Sequence, residues 1–280
     1  MSTTLLLFAI CSICYFAASA LYLANLFSHR QKAAVSATFT AIGGLLVQTV
    51  GLVLRTLELG HPPLATSVES LTFFSWAIVV VFLTVQGKKV AAGPAGMKTL
   101  GAIALPLSLV TVVVGELVPG LPRSGEWPAS WSASWFPLHI IVIFFGYATF
   151  ALAFSCASTY LVQDRLLKRK RLTGISRELP SLKAADDLCY RLVALGFSLL
   201  TIGIILGAIW AQTTRGDFGI WEAKGVWSLV TWAIYAAYLH ARSLAGWRGR
   251  RVNVLIVLGF FSMLLTYLVS QHLGPGQHKF

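Results

Sequence analysis

Apolar residues fall into runs of about 20 along this chain, separated by short polar stretches. That is the length an α-helix needs to cross a hydrocarbon layer of about 30 Å. The pattern predicts transmembrane helices at about 4–27, 35–57, 64–86, 97–118, 137–161, 187–211, 223–243 and 251–273. The expected fold class is therefore all-α: a polytopic transmembrane helical bundle of about eight spans, forming a single integral membrane domain over residues 1–280. The connecting loops are short apart from 119–136 and 162–186. Gly43-Gly44 and Pro106 fall inside spans, where membrane helices tolerate them. Gly203 and Gly207 have the GxxxG spacing that lets two helices approach closely. The segment Met1–Leu26 has neither a basic leading region nor a small-residue cleavage site, so it reads as the first span and not as a secretory signal.

Composition sharpens this picture. The chain is 56% hydrophobic and 11% charged, against about 25% charge in soluble domains. A net charge of +12 would suggest nucleic-acid binding if the basic residues were clustered, but they lie in alternate loops and form no separate phosphate-binding domain. Arg30 and Lys32 follow the first span; Lys88, Lys89 and Lys98 follow the third. The loop after the fifth holds Arg165, Lys168, Arg169, Lys170, Arg171, Arg177 and Lys183, and Arg242, Arg248, Arg250 and Arg251 follow the seventh. The opposite side has only Arg55, Arg123, Arg215, Lys224 and Lys279. Basic loops stay in the cytoplasm, so both termini and the loops after spans 2, 4 and 6 are expected on the outer side. Cys11, Cys14, Cys156 and Cys189 lie in or beside apolar runs. No histidine follows the Cys11/Cys14 pair, so neither a disulfide framework nor a haem-attachment motif is expected.

Polar and aromatic residues inside or beside the spans carry the candidate chemistry. The outer loops concentrate Trp127, Trp131, Trp135, Phe136, Phe218 and Trp221. An interfacial aromatic belt is one reading; an aromatic-lined site for a flat apolar ligand is the other. His139 at the outer start of span 5 and His278 near the outward C-terminus share one side, and two neutral imidazoles could ligate a haem iron, although either could also be an interfacial residue. His240, in the inner part of span 7, is a functional candidate because an ionisable group there is expensive unless it faces the bundle or a cavity. Arg55 and Glu69, near the outer ends of spans 2 and 3, could pair with each other or reach water. His61 sits in a short outer turn, and Glu222 in the first turn of span 7, where the helix dipole favours a carboxylate. Residues 207–232 form a tryptophan-rich outer loop with flanking helix ends. Hydrolase, Walker and dinucleotide fingerprints are absent from the sequence.

Several segments together resemble one family. They are Gly60-His-Pro-Pro-Leu64 followed by Glu69-Ser-Leu-Thr-Phe-Phe-Ser-Trp76; Trp135-Phe-Pro-Leu-His139 followed by Gly146-Tyr147; Gly207-Ala-Ile-Trp210-Ala211; Trp227-Ser-Leu-Val-Thr-Trp232; Ala236-Ala-Tyr-Leu-His-Ala-Arg242; Gly246-Trp-Arg-Gly-Arg250; and Gly276-Gln-His278. From roughly residue 55 onward the chain is similar to the cytochrome c assembly proteins, whose tryptophan-rich WWD region handles haem, and within them to the system II synthase component. The resemblance implies that His139 and His278 ligate the iron of haem b at the outer face. It also implies that His240 belongs to a transmembrane site that admits haem, and that Trp210, Phe218, Trp221 and Trp227 support the ring. The implied work is to present haem for covalent attachment to the CxxCH motifs of apocytochrome c. The implied partners are a CcsB/ResB-type membrane subunit, apocytochrome c and a thiol-reducing thioredoxin-like protein, in a bacterial cytoplasmic or thylakoid-like membrane. Two other functions stay open: haem delivery of the system I type, and a non-catalytic scaffold for another haem-pathway enzyme. Arg215 and Gly219 stand where the family usually has tryptophan, and Trp221-Glu-Ala-Lys-Gly225 replaces its Trp-Asp-Pro-Lys-Glu, which implies a thinner platform for the haem.

Overall fold

The computed structural model describes residues 3–28, 31–90, 99–117, 127, 135–170, 174–219 and 221–272. The helices are α1 (Thr3–Ser28), α2 (Gln31–Leu59), α3 (Ser67–Val90), α4 (Gly101–Leu117), α5 (Trp135–Lys168), the short α6 (Gly174–Glu178), α7 (Leu182–Arg215), α8 (Ala223–Ser243) and α9 (Arg250–His272). All eight spans expected from the sequence are present as helices. Six are long and apolar enough to cross a membrane, and Gly101–Glu116 is a shorter apolar helix. Through much of their length they expose large apolar side chains such as Phe16, Phe39, Leu46 and Leu195. Such a surface suits lipid, not water. The protein is an all-helical integral membrane protein.

The main departures from the expected boundaries are α5 and α7, both 34 residues long. At the basic end they run on well past the apolar stretch, because Leu, Lys and Arg are good helix formers and no breaker intervenes. Local signals set both limits of α7. The Ser181 side chain accepts a hydrogen bond from the Ala184 amide, and Gly216 ends the helix in the left-handed region at φ 81°, its N–H donating to Gln212 O.

The helices pack as two groups. In one, α1 packs on α2 and α4, and α3 on α4; in the other, α5 packs on α7 and α9, and α8 on α9; contact between α3 and α5 joins them. Small residues make the α5–α7 seam. A Cβ added at Gly203 would meet Ile143 Cδ1 at 2.5 Å, and one at Gly196 would meet Phe150 Cε1 at 2.7 Å. The GxxxG spacing does what its sequence suggested. Several polar pairs link the helices: Tyr15 donates to Gln48 (2.6 Å), Trp76 Nε1 to Thr49 (2.9 Å) and Trp232 Nε1 to Thr201 (2.9 Å). Hydrogen bonds of this kind link helices where apolar burial gives no drive. At the basic end Arg242 forms an ion pair with Asp186, both almost fully buried, and lies 3.3 Å from Asp187. The up-and-down course gathers the start of α3 and of α5, the end of α7, the start of α8 and the end of α9 at the opposite end.

Candidate functional site

These helix ends line a cavity of about 170 Å³ whose open mouth extends the space to about 1120 Å³. Its walls are apolar, with Ile140, Ile143, Phe144, Ile204 and Leu229, and they carry the hydroxyl-bearing Tyr147, Tyr267, Ser70, Thr266 and Ser228. Arg215, Phe218, Gly219, Glu222 and Lys224 line the part formed by the α7–α8 connection and the start of α8.

His139 stands in the wall, one turn into α5. Its Nδ1 lies 2.6 Å from the carbonyl oxygen of Gly203 on α7. A carbonyl only accepts, so Nδ1 carries the proton and Nε2 keeps its lone pair. Metal-binding imidazoles are oriented in this way, the far ring nitrogen donating to a backbone oxygen. The ring fits because α7 has glycine beneath it: a Cβ at Gly207 would meet His139 Cε1 at 2.5 Å and Nδ1 at 2.9 Å. Replacing Gly207 by valine is expected to push the imidazole off this perch. Nitrogen-15 spectra of the imidazole should then lose the signature of a hydrogen-bonded Nδ1–H, although helix α7 still forms.

Trp210 is almost fully buried. Phe136 packs against it at 4.5 Å between centroids, and the Arg215 guanidinium lies 5.9 Å from its ring. Arg215 also pairs with Glu222. Glu222 is the residue that caps α8, not part of its first turn, and its side chain makes no capping hydrogen bond. The sequence placed a carboxylate there for the helix dipole; the structure shows it engaging Arg215. Gly219 has φ +60°, and a Cβ on it would meet Arg215 Nη2 at 2.5 Å. Arginine at 215 and glycine at 219 therefore form one arrangement: the glycine supplies both the left-handed turn and the space the guanidinium fills.

The other residues singled out in the sequence lie in different places. Phe218 lines the cavity and is largely exposed; Trp221 is 91% exposed and, like the half-buried Trp227, is not in the wall. His240, in the last turn of α8, is exposed on the surface of the bundle instead of facing its interior. His278 lies outside the described residues. Arg55 does pair with Glu69, at 3.3 Å, and Glu69 is buried and also accepts from the Ala65 amide at 3.0 Å. His61 stacks on Trp127 at 4.8 Å and donates from Nδ1 to Pro62 O. Neither Arg55, Glu69 nor His61 reaches the cavity around His139. Sequence reasoning passed over Lys224, Tyr147 and Tyr267 as site residues. Lys224 had a usable signal, since a cation in the first turn of a helix opposes the dipole. The tyrosines had none, because only the packing of α5 against α9 brings them together.

Fold and cavity define a polytopic helical membrane protein with an oriented imidazole in an apolar cavity at one end. Comparison with known proteins makes this specific: the chain belongs to the cytochrome c assembly protein family, whose profile matches residues 64–278. It is 32% identical over 251 residues to the cytochrome c biogenesis protein CcsA of Guillardia theta, covering 83% of this chain and 81% of the relative. It is 31% identical over 261 residues to CcsA of Synechococcus sp. strain CC9902, covering 86% and 84%. Among solved structures, the cytochrome c heme lyase CcmF has the same fold, with a TM-score of 0.71 at 14% identity. The likeness covers 96% of this chain and 47% of CcmF, so the chain spans about half that protein's length.

Proposed function

We propose that the protein handles haem in cytochrome c maturation, holding haem b in the cavity beside His139 and presenting it to the CxxCH thiols of apocytochrome c. The observation that carries this is the His139–Gly203 hydrogen bond, which fixes the tautomer and leaves Nε2 as a lone-pair donor at an apolar cavity. A neutral imidazole is a suitable axial ligand for haem iron, and apolar walls suit a porphyrin face. Membership of the cytochrome c assembly family supports the same reading. His278 would supply the second axial ligand. The basic loops at the far end of the bundle support an outer position for this cavity. Exposed His240 suits a site shared with a neighbouring subunit, and a CcsB/ResB-type membrane protein is the partner proposed. A thioredoxin-like protein would keep the acceptor thiols reduced. In the attachment itself each thiol S–H adds across a vinyl group: sulfur bonds to one carbon and hydrogen to the other, with no net oxidation. The chain's part is to hold the ring in place and in ligation.

Reconstitution tests this reading. The protein is co-expressed with a CcsB/ResB-type subunit and a CxxCH acceptor in a host that lacks its own maturation system, and covalent cytochrome c is expected. A stable haem-loaded complex that forms no covalent product would refute the presentation step and favour a scaffold.

A further inference from the structure

We propose that Arg215 is the receptor for a carboxylate of the cavity's ligand, so that the site selects the free-acid form of a carboxylate-bearing tetrapyrrole over its ester. This rests on the haem reading of the same cavity and adds which group of the chain meets which group of the ligand.

Arg215 has five N–H donors in a rigid fork. Nη1 bonds to Glu222. Among the described residues Nη2 has only Asp217 Oδ1, at 3.6 Å, beyond hydrogen-bond length. Nε is buried and has no acceptor among the described residues. Nε and Nη2 form one edge of the fork, the edge on which a carboxylate binds with two parallel hydrogen bonds. Buried donors are almost always matched in folded proteins, and an exception calls for an explanation. Here the Arg215 side chain is only 18% exposed, yet among the described residues the edge best shaped for a carboxylate is unmatched.

The surroundings agree. Arg215 lines the cavity. Packing of Trp210 at 5.9 Å and the missing Cβ at Gly219 hold the guanidinium there. Lys224 lines the same part of the cavity. The remaining walls are largely apolar. A ligand matching this lining has a broad apolar body and an anionic edge. The Glu222 side chain is 38% exposed and is free to turn into water as the ligand's carboxylate arrives.

Titration with haemin and with haemin dimethyl ester tests the proposal, using the full-length protein purified in detergent and the absorption band of the iron–imidazole complex. The wild type is expected to bind haemin about 10- to 100-fold more tightly than the ester, the worth of a charge-assisted hydrogen-bond pair. In Arg215→Gln haemin binding should weaken to the level of the ester, and ester binding should be unchanged, which also shows that the variant is folded. Glu222→Gln, which removes the competing carboxylate, should widen the preference. An acid-over-ester ratio in Arg215→Gln equal to the wild type's, or no preference in the wild type, would overturn the assignment. Should Arg215→Gln fail to fold, an unchanged ratio in Glu222→Gln would overturn it equally. Failure of the wild type to bind either compound contradicts the haem reading itself, a result distinct from these.

Discussion

Replacing His139 by alanine is expected to lower haem affinity by more than about 100-fold, since loss of a ligand's supporting partner alone costs about 10- to 100-fold. The expectation follows from geometry. The imidazole is held between α5 and α7 by its bond to Gly203 O and rests on Gly207. Truncation should do little to the fold: Gly203 O remains within helix α7, and the space vacated opens onto a cavity. Haem content of protein purified from haem-replete cells measures the effect, and added imidazole should restore part of the ligation spectrum. Wild-type haem content in the variant would mean that ligation lies elsewhere.

Replacing Arg242 by alanine is expected to be the most destabilising single change, by about 3–5 kcal/mol, because it strands a buried carboxylate. Arg242 and Asp186 are 8% and 9% exposed, and one oxygen of Asp186 already has no partner among the described residues. The pair ties the end of α8 to the start of α7. It also fixes the turn of α8 that holds His240, two residues earlier. The thermal midpoint in detergent should fall sharply for Arg242→Ala, and much less for the double change Asp186→Leu with Arg242→Leu, since removing both charges leaves none unpaired. Equal loss in the single and double variants would show that packing, not charge, holds this corner.

The helices were legible because each span is a continuous apolar run bounded by charge or turn residues. The ends of α5 and α7 were less so: at Arg165–Lys168 the helix continues through residues whose charge marks the end of the membrane but not the end of the helix. His139 was legible as a candidate from its position, but its hydrogen bond was not, since the partner is a backbone carbonyl 64 residues away. The GxxxG pair hinted at close packing without showing that an imidazole rests on one of its glycines. The departures at 215 and 219 read in sequence as a loss of aromatic platform. In three dimensions they are one substitution of chemistry, a guanidinium held over a left-handed glycine. Trp221 stands in the open, an exposure that its motif does not reveal.

Exchange of the ligand atom is the most direct test of a haem held by His139. Haem-loaded His139→Cys protein is purified and its ferric absorption spectrum recorded beside that of the wild type. Ligation at this position predicts that bands of an iron–thiolate complex replace those of the iron–imidazole complex. A spectrum identical to the wild type's would contradict the account.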